Sequence, residues 1–91
     1  MFFAFIMMGP FGKADRAIIK EENAVIGVSS IDEAVKEAKE LQRQGVKAIE
    51  LCGAFGEDGA RRIIEATDHK VAVGFVTHFP EDDDLFRRVW G

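Results

Sequence analysis

From Ala24 onward the chain alternates short apolar runs with amphipathic stretches, in the order strand, helix, strand, helix, strand. The three apolar runs are Ala24 to Ser29, Val46 to Cys52 and Val71 to Val76. Strands of one sheet that are joined by helices must run parallel, and such crossovers are right-handed. The pattern therefore predicts an α/β domain built from βαβ units around a mainly parallel sheet.

The first predicted helix has clear signals at both ends. Ser30 is followed three positions later by Glu33, which is the spacing of a capping box, and Gly45 is typical of a left-handed cap at the helix end. The second predicted helix begins at residues 57–58, where two acids favour the positive end of the helix dipole, and ends near residues 67–68. These two helices supply the crossovers.

The two ends of the chain add further elements. The opening run MFFAFIMM is too short for a membrane span and lacks the positive flank of a signal peptide, so it predicts a strand buried on both faces. Lys13 to Asn23 fits a short helix better than the alternative, an edge strand over Ala17 to Lys20. Apolar residues from Leu85 to Trp90 predict one or two closing helical turns.

Together these elements predict one domain, residues 1–91, with four strands. Its architecture is expected to be half-TIM-barrel-like or flavodoxin-like. If the strands add in sequential order, both crossover helices lie on one face of the sheet, and the other face needs a cover. Gly27 and Gly74 mark places on the strands where a neighbour approaches closely.

The charge, the cysteine content and the length of the chain limit the classes of function that we expect. The 12 basic residues are spread along the chain and outnumbered by 16 acidic ones, so nucleic acid is not an expected partner. The single cysteine cannot form an internal disulfide and fits a reducing compartment, which predicts a cytoplasmic protein without membrane contact. A chain of 91 residues leaves much surface exposed, so we expect a homo-oligomer, a dimer or higher.

Ligands of open α/β sheets and of α/β barrels bind beyond the carboxyl ends of the strands. In this chain, those ends and the turns after them carry a set of small and polar residues. We therefore predict a ligand-binding site formed by Ser29, Gly53, Phe55, Gly56 and Thr77. A phosphate at the glycine turn is disfavoured, because Glu57 and Asp58 would repel it.

Three residues near the same strand ends are candidates for catalysis, each with a structural alternative. Glu50 is a general base or ligand-binding carboxylate, or else it pairs with Arg16, Arg61 or Arg62 or across a subunit interface. Cys52 is a nucleophile or redox thiol, or else a small buried hydrophobe. His78 is an acid–base residue, or else it caps a loop.

Several segments resemble a small prokaryotic domain family without an assigned function. The resemblance is carried by FAFIM from Phe3, RAIIK from Arg16, GVSS from Gly27, and above all GVKAIELCGAFG from Gly45 to Gly56. In that family a second glycine is usual after the cysteine, so Ala54 is a mild departure. The resemblance covers nearly the whole chain and implies no chemistry.

Three functions therefore remain open, in this order of preference. The first is binding of a small metabolite at the strand ends by a homo-oligomeric domain. The second is protein interaction or assembly through an exposed sheet face and the C-terminal aromatic residues. The third is an enzyme with Glu50 or His78 as acid–base and Cys52 as nucleophile. No cofactor motif and no metal-ligand spacing is present in the sequence.

Overall fold

The computed structural model describes all of residues 1–91. The strands are β1 (Phe3–Met8), β2 (Arg16–Ile19), β3 (Asn23–Val28), β4 (Ala48–Leu51) and β5 (Ala72–Phe75). The helices are α1 (Ile31–Arg43), α2 (Gly56–Ala66) and α3 (Asp83–Trp90), and short 3₁₀ turns at Gly53–Phe55 and Pro80–Asp82 precede α2 and α3. No helix has the length and apolar character needed to cross a bilayer.

The five strands form one sheet in the order β2-β3-β1-β4-β5, in which β2 is antiparallel to β3 and all other neighbours are parallel. The predicted α/β class and mainly parallel sheet are confirmed, but the predicted number of four strands is wrong. Among the parallel strands the relative order is second, first, third, fourth, as in flavodoxin-like sheets. A half-barrel would need β1 beside β3 at one end of the row, whereas β1 lies between β3 and β4.

The fifth strand replaces the helix predicted over Lys13 to Asn23. Four residues of this segment form β2, which pairs with β3 through a tight turn where Lys20 and Glu21 have φ angles of 52° and 60°. Non-glycine residues with positive φ are uncommon, and neither residue is the glycine or asparagine that marks such turns in a sequence. The edge strand kept as the alternative is therefore correct, although it begins one residue earlier.

Both crossover helices cover one face of the sheet, and the core lies between them and the strands. Alternate residues of the strands point into this core, where they meet small and aliphatic residues of α1 and α2. The buried strand residues are Ala4, Ile6, Ala24, Ile26, Val28, Ile49 and Leu51, and the helices contribute Ala34, Ala38, Leu41, Ala60 and Ile63. This one-sided arrangement follows because α1 carries the chain from β3 past β1 to β4, and α2 then carries it from β4 to β5 in the same direction, so right-handed crossovers place both helices on the same face.

The start of α1 is capped as predicted, with one difference in the partner. Ser30 Oγ accepts a hydrogen bond from the Glu33 backbone N–H at 3.1 Å, while the Glu33 carboxylate accepts one from the Ser29 N–H at 2.8 Å. The hydrogen bonds from Ser29 lower the pKa of Glu33. At the other end Gly45 has φ 97°, the left-handed conformation expected after a helix.

The second face of the sheet carries no helix, and we call it the open face. Its strand residues are apolar except for Asn23 and Glu50, and Glu50 is the one that carries a charge. Its strand residues are Phe3, Phe5, Met7, Ala17, Ile19, Asn23, Val25, Gly27, Ala48, Glu50, Ala72 and Gly74. The expectation that β1 is buried on both faces is therefore wrong, because Phe3 and Phe5 are only half-buried and Met7 is exposed.

Two glycines of the open face leave space for neighbouring side chains, as their positions predict. A Cβ on Gly27 would lie 2.7 Å from Phe11 Cβ, because the loop after β1 folds back over this residue. A Cβ on Gly74 would lie 2.6 Å from Glu50 Oε2, because the carboxylate leans across β5. Phe11 thus covers only one corner of the open face.

The closing helix predicted from Leu85 to Trp90 is present as α3, and none of its residues is buried. Its apolar side chains remain accessible to solvent: Leu85 is 52% exposed, Val89 65% and Trp90 80%. Phe79, in the linker before the helix, is 73% exposed. The helix therefore does not complete the core of its own chain.

Candidate functional site

A cleft of about 940 Å³ lies beyond the carboxyl ends of β1, β4 and β5. The end of β1 and its loop, the turn after β4, and the segment from β5 through α3 surround it. The lining residues are Met7, Met8, Gly9, Pro10, Phe11, Cys52, Gly53, Ala54, Gly56, Phe75, Val76, Thr77, His78, Pro80, Asp83, Phe86, Arg87, Trp90 and Gly91. Its size falls within the usual range for small-molecule sites.

The strand order explains why the cleft forms here. After β1 the chain turns towards β3, whereas after β4 it turns the other way, towards β5. Two neighbouring strands whose connections diverge leave a crevice between their carboxyl ends, and ligands of open α/β sheets bind at such crevices. The divergence occurs between β1 and β4, where the Met8 and Cys52 segments line the cleft.

Cys52 joins the ends of these two strands. Its Sγ accepts a hydrogen bond from the Met8 backbone N–H at 3.2 Å, and the Cys52 N–H donates to the Ile6 carbonyl at 3.0 Å. The residue is partly exposed and packs against the core. Cys52 therefore links the two walls of the crevice. This structural role is independent of any chemical role of the thiol.

The turn after β4 reaches α2 through a conformation that only glycine adopts easily. Gly56 has φ 63° and ψ −174°, and Phe55 before it is only 5% exposed. A phosphate-binding site at this turn is not favoured, because the acidic residues Glu57 and Asp58 occupy the first turn of α2. Glu57 also forms an ion pair with Arg61, and this hydrogen bond raises the pKa of Arg61.

His78 lies in an ordered group on the α3 side of the cleft. Its Nε2 is 2.7 Å from Asp83 Oδ1, and its ring stacks on that of Phe86 with centroids 3.8 Å apart and planes 8° from parallel. The carboxylate fixes the orientation of the imidazole, and the imidazole ring lies flat against the ring of Phe86. Thr77 lines the cleft beside His78.

Five of the residues predicted for the site come together at the cleft: Cys52, Gly53, Gly56, Thr77 and His78. Three others do not line it. Phe55 points into the core, Ser29 caps the start of α1 through its backbone, and Glu50 lies on the open face. Glu50, Cys52 and His78 therefore do not share one cavity.

The ion pairs suggested for Glu50 within the chain are also wrong. Each candidate arginine is paired elsewhere, since Arg16 contacts Glu37, Arg61 contacts Glu57 and Arg62 contacts Asp32. None of the six ion pairs in the chain includes Glu50. Glu50 is exposed, because no other element covers the open face.

Sequence reasoning missed the polar and aromatic residues that α3 contributes. Asp83, Phe86, Arg87 and Trp90 recur at three- and four-residue spacing and line the cleft with one side of the helix. Leu85, Arg88 and Val89 lie on the other side. The spacing of the residues shows which of them share one side of α3. The path of the linker before the helix decides which side faces the cleft.

Fold and site define this chain as a small α/β protein with a one-sided sheet and an apolar cleft at the crevice between β1 and β4. The chain belongs to a family of unknown function, DUF6506, whose model matches residues 1–91. The resemblance to a family without an assigned function is confirmed at this level. Searches of the curated proteins and of the solved structures find no significant match.

Proposed function

We propose that this protein binds a small, mainly apolar molecule with an acidic group in the cleft at the carboxyl ends of its strands. The observation that carries the proposal is the lining of the cleft. Methionine, proline and aromatic side chains supply most of its surface, while its polar side chains come from the segment between Thr77 and Arg87. A pocket that is largely apolar with a few grouped polar residues is the usual form of a small-molecule site.

Arg87 is the residue that favours an acidic group on the ligand. Its Nη1 donates to Asp84 Oδ1 at 2.9 Å, which uses only part of a guanidinium with five N–H donors. The remaining donors can bind a carboxylate or phosphate in a charge-assisted geometry. The start of α2 does not compete for this group, since its first turn carries two acids.

The rings beside Arg87 favour a flat body on the same ligand. His78 and Phe86 are stacked on each other and both line the cleft, and Trp90 lies four residues after Phe86 on the same side of α3. Aromatic faces of this kind bind planar apolar groups by offset stacking. An aromatic or unsaturated acid therefore fits the residues better than a sugar or a nucleotide polyphosphate.

The chain contains one tryptophan, which makes Trp90 a local reporter of cleft binding. The probe is anilinonaphthalene sulfonate, which combines fused rings with an anionic group. We expect saturable energy transfer from Trp90 to the probe. Arg87→Met should weaken its binding about tenfold, since it removes the charge and keeps the apolar stem.

Two matched substitutions locate the binding. Ala54 lines the cleft, so Ala54→Leu should fill part of it and reduce probe affinity, whereas Ala14→Leu in the exposed loop before β2 should not. Native mass spectrometry of gently purified protein tests for a retained natural ligand. Equal probe affinity in wild type, Ala54→Leu and Arg87→Met would refute the proposal.

A further inference from the structure

We infer that a second copy of this chain covers the open face, with the outer side of α3 from each copy packing across the open face of the other. The cleft uses the opposite side of α3, so this inference does not rest on the proposed ligand. Three observations support the second copy as the occupant. They are the dimensions of the helix and of the face, the area that the contact would bury, and the charges on the two surfaces.

The helix is small enough to lie on the open face. Eight residues of α3 extend about 12 Å at 1.5 Å per residue. The open face is about 20 Å wide for five strands spaced 4.8 Å apart, and its longest strands have six residues, or about 20 Å. One helix therefore fits along the face, and its apolar outer side would meet apolar strand residues.

The area is sufficient for a stable dimer. Phe79, Leu85 and Val89 do not line the cleft, and their exposed fractions of 73%, 52% and 65% leave roughly 300 Å² of side-chain surface uncovered in each chain. If the two helices and the Phe79 linkers bury this surface completely, with an equal area on the faces beneath them, the interface reaches roughly 1,200 Å² in total, at the lower limit of standard interfaces. Ile19, which is exposed on the open face and does not line the cleft, would be covered as well.

The charges are complementary between these two surfaces and are left unmatched within one chain. Glu50 is the one charged strand residue of the open face and belongs to no ion pair. Arg88 flanks Leu85 on the outer side of α3, and it bonds only the Asp84 carbonyl through Nε at 3.4 Å. Contact between Arg88 of one copy and Glu50 of the other would pair both charges inside an apolar interface.

Reciprocity also favours a second copy over another protein. Because each chain carries both the helix and the face, a twofold arrangement makes the same contact twice and closes without leaving either surface free. Two Glu50–Arg88 pairs would then form per dimer. An unrelated protein would have to supply its own basic residue for Glu50 and would leave the outer side of α3 uncovered.

A charge-exchange experiment tests the inference by sedimentation equilibrium on the full chain. We expect wild type to be a dimer, and Glu50→Arg and Arg88→Glu each to weaken its dissociation constant by roughly thirtyfold or more. The double variant Glu50→Arg/Arg88→Glu should regain most of that affinity, since the pair is restored with exchanged signs. Lys39→Glu, an exposed charge reversal on α1, is the matched control and should leave the dimer intact.

The double variant keeps the test valid if a single variant folds poorly, and circular dichroism reports folding for each protein. A wild-type chain that stays monomeric at about 100 μM would overturn the inference and leave the open face to another partner. A dimer that is insensitive to both single reversals, or that the double variant fails to restore, would overturn it equally. Probe binding monitored through Trp90 tests the cleft separately and can succeed or fail whichever result is obtained.

Discussion

Substitution of the two open-face glycines by alanine should have opposite effects on stability, because different atoms occupy the space of the new methyl group. In Gly27→Ala the methyl carbon would lie 2.7 Å from Phe11 Cβ and 2.8 Å from Phe11 Cγ. Carbon atoms in good contact are about 3.5–4.0 Å apart, so the shortfall is about 1 Å. These Phe11 atoms are close to the backbone and cannot move away by rotation of the side chain alone.

The backbone near Phe11 is also held in place. The Phe11 N–H donates to the Gly9 carbonyl at 2.8 Å, and the Gly27 N–H donates to the Asp15 carbonyl at 2.7 Å. Overpacking of this kind costs about 1–3 kcal/mol, and the loss of glycine flexibility in the unfolded chain returns about 0.5–1 kcal/mol. The middle of these two ranges gives an expected fall of about 1.2 kcal/mol in the free energy of unfolding for Gly27→Ala.

Gly74→Ala is the matched comparison, with an equally short contact to a movable group. Its methyl carbon would lie 2.6 and 2.7 Å from the carboxylate oxygens of Glu50, which is an exposed side chain without an ion-pair partner. The carboxylate can rotate into solvent, so the flexibility term dominates. We expect a change between zero and a gain of about 1 kcal/mol.

Thermal unfolding at low protein concentration, where association contributes little, measures the difference. For a domain of this size 1 kcal/mol corresponds to about 4–8 °C, so Gly27→Ala should melt roughly 5–15 °C below Gly74→Ala. Gly27→Ala should also weaken probe binding, since Phe11 lines the cleft. Equal melting temperatures for the two variants, or a lower one for Gly74→Ala, would refute the reasoning.

Three further substitutions test the local structure. Because Glu33 has a lowered pKa, its carboxylate stabilises the fold above about pH 4.3 and loses this effect as pH falls through the folded pKa; the Tm difference between wild type and Glu33→Gln should shrink on acidification. Leu41→Ala removes a side chain that is 3% exposed and should cost about 2–5 kcal/mol in a urea titration; a cost below about 1 kcal/mol would contradict the described core. Cys52→Ser keeps an acceptor for the Met8 N–H, whereas Cys52→Ala leaves it unpaired, so the serine variant should be more stable by about 1 kcal/mol in the same assay, and the reverse order would argue against this hydrogen bond.

Local sequence patterns predicted the elements that have strong periodicity and marked ends. α1 begins after Ser30 and ends before Gly45, as its capping signals indicate. β2 was predicted as a helix because Ala14, Ala17 and Ile18 fit a helical spacing. The turn at Lys20 and Glu21 adopts positive φ without the residues that usually mark a hairpin in a sequence. The pairing with β3 decides this segment, and a pairing between strands is not a property of either segment alone.

The position of the site could be predicted from the sequence, but several of the residues that line it could not. Parallel strands place their carboxyl ends together, so Cys52 and His78 were expected near one another at the edge where the cleft lies. Glu50 was misplaced because its strand has one uncovered face, and the sequence pattern alone does not show whether another part of the chain covers that face. Arg87 and Trp90 were missed because the direction of the linker from β5, and not the helical pattern, turns them towards the cleft.

The central position of β1 has a consequence for the order in which the chain folds. By their registers, Phe3 pairs with Asn23 of β3 and Ala48 pairs with Ala72 of β5, so the β1–β3 and β4–β5 pairs each join strands about 20–25 residues apart. The pairing of Phe3 with Ala48 joins β1 to β4 across about 45 residues. Contacts with a low entropy cost of loop closure form early, so we expect the pairing of β1 with β4 to be the last major step, joining the β2-β3-β1 part to the β4–α2–β5 unit. Until then the sheet is divided, and its unpaired inner edges are the most aggregation-prone surfaces that the chain exposes.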